Sequence, residues 1–112
     1  MTSNGFVAAL EDLLERVERA AASIEQGGRK NDLHDLRLAL IEMLSLIERD
    51  PGIEAATDDL YEAAAFLADV TTSTPLARRL RLLQDAHLRY RERLTGARPG
   101  ERAVTLPGES ES

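Results

Sequence analysis

The chain has 112 residues, 43% of them hydrophobic and 30% charged, which is the balance of a single water-soluble globular domain. It has no cysteine, which excludes a disulfide framework, a thiolate zinc site and a cysteine nucleophile. The longest stretch without a charged side chain is the first ten residues, and it lacks a basic start. The sequence therefore predicts neither a membrane span nor a secretory signal.

The net charge of −6 is unevenly distributed along the chain. Residues 1–75 carry 6 basic and 15 acidic side chains, whereas residues 76–102 carry 8 arginines and 3 acids. We therefore expect the molecule to repel nucleic acid and anionic membranes, while its basic segment could bind an acidic partner. Thirteen of the 14 basic residues are arginine and 16 residues are alanine, a bias typical of a GC-rich bacterial genome. We expect a cytoplasmic bacterial protein.

The first predicted helix covers about residues 5–25. A capping residue precedes it, Ser3 or Asn4, and Gly27-Gly28 is expected to end it. Its apolar side chains recur at intervals of four and three residues, which places them on one helix face. They are Phe6, Leu10, Leu13, Val17, Ala20 and Ile24.

The second predicted helix covers about residues 33–49, with Asn31 or Asp32 as its N-cap. Its main apolar stripe consists of Leu33, Leu36, Leu40, Met43, Leu44 and Ile47. Leu38, Ile41 and Leu46 lie outside that stripe, so this helix is apolar nearly all round. Such a helix either is the most buried one of a monomer or contacts a second surface, and we favour association through these three residues.

Two further helices follow. Asp50-Pro51-Gly52 is the turn that begins the third, which continues to about residue 70. The threonine-rich run 71–74 is expected to cap the fourth, with Pro75 at its first position and Gly96 at its end. Short loops between four similar helices predict an antiparallel up-down four-helix bundle over residues 1–96. Residues 97–112 are rich in Gly, Pro, Ser and Glu and are expected to form a flexible tail.

No catalytic or metal-binding pattern emerges from the motifs. Neither histidine follows a glutamate by three residues, as a di-iron bundle requires, and the acidic segment 50–61 departs from the EF-hand pattern. The segment 27–30 lacks the spacing of a phosphate-binding loop, and no Gly-x-Ser-x-Gly motif is present. We expect no metal, no cofactor and no enzymatic activity.

His34 begins the motif that is most suggestive of chemistry. The run from His34 to Ile41, His-Asp-Leu-Arg-Leu-Ala-Leu-Ile, resembles the H-box of sensor histidine kinases. The resemblance implies phosphorylation of His34, with Asp35 as its acid–base neighbour, in a small phosphotransfer protein. It departs from those families in three respects. Their histidine lies within a long helix, whereas Gly27-Gly28 and Asp32 place His34 in a first turn. Ala39 replaces the proline of the H-box, and Leu38 stands where phosphotransfer domains have glycine.

His87 and three arginines of the fourth predicted helix are the remaining candidate functional residues. His87 lies on the apolar stripe, where a hydrogen bond to a neighbour at the core boundary is the expected role and pH sensing the alternative. Arg78, Arg81 and Arg89 are candidate partner contacts. Pairing of the arginines with acidic helices is favoured over nucleic-acid binding. The sequence thus predicts a helical protein–protein interaction module and homodimer, with histidine phosphotransfer and nucleic-acid binding as alternatives.

Overall fold

The computed structural model describes residues 4–27 and 30–100, which form four α-helices. An isolated β-bridge is the only extended pairing within that part of the chain. The predicted all-α class is confirmed. In chain order the helices are α1 (Asn4–Glu25), α2 (Lys30–Leu46), α3 (Pro51–Ala68) and α4 (Leu76–Leu94).

The helices pack as two hairpins, α1 with α2 and α3 with α4, and the hairpins meet where α3 contacts both α1 and α2. An ion pair of 3.2 Å between Arg91 and Glu18 also joins α4 to α1. The apolar stripes form one core between the helices, because each amphipathic helix must bury its apolar face. Its most deeply buried large side chains are Val17, Leu36, Met43, Ile53, Leu60, Leu83 and Tyr90.

The end of α1 follows the predicted glycine signal. Gly27 has a φ of 91°, a left-handed conformation that glycine adopts without a steric penalty. Its N–H donates to the carbonyl oxygen of Ile24 at 3.1 Å. Ser3 and Gly28, the other predicted end signals, lie outside the described residues.

The start of α2 differs from the prediction. The helix begins at Lys30, so Asn31 and Asp32 lie in its first turn and are not N-caps. An acidic side chain in the first turn is stabilised by the positive end of the helix dipole, and the same residue types are favoured at caps. The two positions are therefore hard to tell apart from sequence.

The end of α2 also differs, because the chain leaves the helix at Leu46 and not near residue 49. Gly100 donates its N–H to the carbonyl oxygen of Leu46 at 3.0 Å, and Glu48 donates to that of Arg98 at 2.6 Å. Residues 97–100, the first four of the predicted tail, are thus held against the α2–α3 connection. Residues 101–112 lie outside the described part of the chain.

Asp50 caps α3, and it lies in the turn that the sequence predicts at the start of this helix. Its Oδ1 accepts hydrogen bonds from the N–H groups of Gly52 at 2.8 Å and Ile53 at 3.2 Å, and Pro51 occupies the first turn.

The start of α4 differs from the prediction by one residue. Pro75 is the N-cap and makes no side-chain capping bond. The threonine run is bonded within itself, since Thr72 Oγ1 accepts from the N–H of Thr74.

Candidate interaction surface

Four side chains form a continuous stripe on the outer side of α2. His34, Leu38, Ile41 and Ser45 recur at intervals of four, three and four residues, and all four are exposed. Leu38 is 42% exposed and Ile41 is 49% exposed. The stripe points away from the buried side of α2, on which Leu36, Leu40 and Met43 lie. We call these four residues the α2 face.

Leu46, the third predicted contact residue, is not part of this face. It is 5% exposed and belongs to the hydrophobic core. The reason is that it lies one turn after Met43 and two turns after Ala39, both of which are buried. The small Ala39 widens the buried side of the helix, and the predicted stripe left it out. The expectation that Leu46 has no internal place is wrong.

Charged side chains of opposite sign border the α2 face. Arg37 is exposed on one side of it, and it makes no ion pair or hydrogen bond within residues 4–27 and 30–100. Glu42 and Asp35 are exposed on the other side. Glu42 accepts a 2.8 Å hydrogen bond from Arg16 of α1, yet half of its side chain is still accessible. The face therefore has one basic and one acidic edge.

His34 lies at one end of the α2 face. Because α2 begins at Lys30, this histidine lies in the second helical turn, whereas the sequence predicts the first turn. Its side chain is exposed, as is that of the adjacent Asp35. Exposure is necessary for a phosphoacceptor, but the partly exposed Leu38 one turn later occupies the space that glycine leaves open in phosphotransfer domains.

Five of the six arginines of α4 divide into three groups. Arg91 pairs with Glu18 of α1, as the intramolecular interpretation predicts. Arg79 turns towards the end of α3, where it donates to backbone carbonyl oxygens. The candidates Arg78, Arg81 and Arg89 are exposed. They lie on α4, which packs against α3, so the structure does not bring them together with the α2 face.

Two polar groups on the inner side of α4 lack hydrogen-bond partners among the described residues. They are the Nε2 atom of His87 and the hydroxyl oxygen of Tyr90. Burial lowers the pKa of His87 below its ordinary value, although the carboxylates of Glu18 and Glu25 act in the opposite direction. Burial likewise raises the pKa of Tyr90. The neighbour hydrogen bond expected for His87 is therefore not formed by Nε2.

Other kinds of site find little support in the described residues. No group of three His, Asp or Glu side chains there is close enough to hold a metal ion. None of the four helices is long and apolar enough to cross a membrane. A cleft between α1 and α2 is lined by charged side chains such as Arg16 and Asp35, with Leu38 at its edge. It thus adjoins the α2 face.

Comparison with protein-family models, with curated proteins and with solved structures found no match for this chain.

Proposed function

We propose that the protein is a non-enzymatic protein–protein interaction module that self-associates through the α2 face. The observation that carries the proposal is the pair Leu38 and Ile41, which are exposed one turn apart on the outer side of a helix whose inner side is already buried. A bacterial, cytoplasmic setting belongs to the same proposal and is supported by composition alone.

The neighbours of these two side chains distinguish them from ordinary exposed leucines. Leu82 of α4 is also 42% exposed, but its neighbours along the helix stripe are Arg78, Asp85 and Arg89. Along the stripe of Leu38 lie His34, Ile41 and Ser45, and none of these is Asp, Glu, Lys or Arg. Single exposed apolar residues are normal, whereas an apolar pair with no Asp, Glu, Lys or Arg on its stripe is suited to contact.

The size of the face limits the strength of association. Full burial of a Leu or Ile side chain contributes roughly 1.5–3 kcal/mol, so two half-exposed side chains from each of two copies contribute about 4 kcal/mol. Association costs at least about 4 kcal/mol in lost translational and rotational freedom. The polar contacts around the two apolar side chains must therefore supply the net free energy of association. We therefore expect a weak dimer.

Sedimentation velocity of matched variants tests this proposal. The double variant Leu38→Asp, Ile41→Asp is expected to sediment as a monomer at concentrations where the unmodified protein is partly dimeric. The double variant Leu82→Asp, Leu88→Asp is the control, because it introduces the same two charges at exposed leucines of α4, and it is expected to leave association unchanged. The proposal is wrong if the double variant and the unmodified protein associate equally.

Histidine phosphotransfer is the second candidate, and the exposure of His34 beside Asp35 is the observation that favours it. Incubation with phosphorylated response regulators tests it directly. Acid-labile phosphate that appears on the unmodified protein and is absent from His34→Ala would support it. The absence of label from every regulator would remove it.

A further inference from the structure

The charges at the edges of the α2 face distinguish the two ways in which the α2 helices of two copies can pack together, parallel and antiparallel. Arg37 lies at one edge of the face, and Glu42 lies at the other. In a parallel pair of helices, a twofold axis along the helix direction brings opposite edges together. In an antiparallel pair, the twofold axis is perpendicular to the helices and brings like edges together. The two arrangements therefore place different charges in contact.

We propose that the occupant of the α2 face is a second copy of this chain, with the two α2 helices parallel and in register. This inference rests on the proposed function and specifies its geometry. Leu38 then packs against Leu38 of the second copy, and Ile41 packs against Ile41. Arg37 of each copy lies beside Glu42 of the other, as charged residues flank the seam of a parallel two-helix coil.

The antiparallel alternative is disfavoured by the same side chains. It places Glu42 beside Asp35 of the second copy at one edge and brings the two Arg37 side chains towards each other at the other edge. Like charges in contact across an interface oppose association. The parallel arrangement instead gives a partner to Arg37, which has none within the described part of the chain.

The number of copies follows from how α2 is packed. α1 covers one flank of α2, as the 2.8 Å contact from Arg16 to Glu42 shows, and α3 also packs against α2. Among the described residues only the outer side of α2 is open, so each copy can offer one such face to one neighbour. The arrangement closes at two copies and does not extend into a filament.

Disulfide trapping tests the parallel arrangement, and the absence of natural cysteines makes single-cysteine variants unambiguous. Leu38→Cys and Ile41→Cys are prepared separately, each as the full chain, and oxidised with copper phenanthroline. Facing positions in a parallel seam lie within reach of a disulfide, so each variant is expected to form a covalent dimer by itself. Asp58→Cys, at an exposed position on α3, is the control for random collision.

The possible outcomes separate this inference from the proposed function. In an antiparallel pair at most one of the two positions can lie at the axis, so failure of either single variant to exceed the control overturns the parallel arrangement. If sedimentation still shows a dimer in that case, the proposed function survives. If sedimentation shows a monomer at every concentration, both fail.

A charge exchange gives a second, independent measurement. Arg37→Glu is expected to raise the Kd of the dimer about threefold, which corresponds to the usual energy of an exposed ion pair. The double variant Arg37→Glu, Glu42→Arg is expected to restore most of the lost affinity. In the antiparallel arrangement Arg37→Glu replaces one pair of like charges with another and would leave the dimer unchanged, which would overturn the inference.

Discussion

Arg79, in the first turn of α4, donates a 2.8 Å hydrogen bond from Nη1 to the carbonyl oxygen of Leu67 in the last turn of α3. The same nitrogen lies 3.2 Å from the carbonyl oxygen of Asp69, and Nε donates to that of Thr74 at 3.0 Å. The last carbonyl groups of a helix lack partners within the helix and form its negative end. Arg79 thus stabilises the end of α3 and links it to α4.

Removing this guanidinium is expected to lower the free energy of unfolding. We expect Arg79→Gln to cost about 1–3 kcal/mol, the usual effect of losing a charge-assisted hydrogen bond at a partly buried site. Urea denaturation followed by circular dichroism measures the change. Arg78→Gln, which removes an exposed arginine one residue earlier, is the control and should change stability by less than about 0.5 kcal/mol. Equal losses for the two variants would contradict the role of Arg79.

Gly100 is expected to tolerate no side chain. A Cβ atom at this residue would lie 2.6 Å from the carbonyl oxygen of Ile47, which is backbone and has little freedom to move. Gly100→Ala is therefore expected to displace residues 97–100 from the end of α2 and to lower stability by about 1–3 kcal/mol. Gly96→Ala is the control, because the nearest atom to its Cβ is 4.0 Å away. A neutral Gly100→Ala would show that this contact contributes nothing to stability.

The hydroxyl of Tyr90 is expected to be dispensable. It is buried and has no hydrogen-bond partner among the described residues, so the folded protein loses the hydration of this group without compensation. We expect Tyr90→Phe to retain the stability of the unmodified protein or to raise it by up to about 2 kcal/mol. Thermal unfolding compares it with Tyr61→Phe at a half-buried position. A loss for Tyr90→Phe larger than that for Tyr61→Phe would reveal a partner for this hydroxyl.

Stability is expected to fall in mild acid because of His87. Burial lowers the pKa of His87 in the folded protein below its ordinary value of 6.5, which the unfolded chain retains. Below that pH the unfolded chain binds the proton more readily than the folded one, so stability is full above the unfolded pKa and declines as the pH falls towards the folded pKa. Protonation is favoured by Glu18 and Glu25 and opposed by Arg91, but burial outweighs the two carboxylates.

Denaturation between about pH 7.5 and 5.5 isolates this effect if the unmodified protein is compared with His87→Gln. The variant is expected to lose less stability over that range, because other titrating groups are common to both proteins. His34→Gln, at an exposed histidine, should behave like the unmodified protein. Parallel pH profiles for the unmodified protein and His87→Gln would contradict the prediction.

The sequence predicted the four helices, because their apolar spacing, the Asp50-Pro51-Gly52 turn and Gly27 are local signals. It failed at the end of α2, where Gly100 pairs with Leu46. Contacts between residues so far apart in the chain cannot be predicted from the local spacing of apolar residues. Leu46 was misplaced for a related reason, since the burial of Ala39 depends on how closely α1 approaches.

The candidate site was predicted in part. Leu38 and Ile41 are exposed, as their position outside the main stripe indicated. The role of Arg79 could not be foreseen, because eight arginines lie between residues 76 and 102 and their spacing does not show which one reaches the end of α3. The contacts of a long side chain at a helix start depend on how the helices pack in the folded protein.

The most direct test of the proposed self-association is the solution mass of the unmodified protein, measured by light scattering over a concentration range of about tenfold. The mass is expected to rise with concentration from the monomer value of 12.3 kDa towards twice that value. A mass that stays at 12.3 kDa throughout would contradict self-association through Leu38 and Ile41.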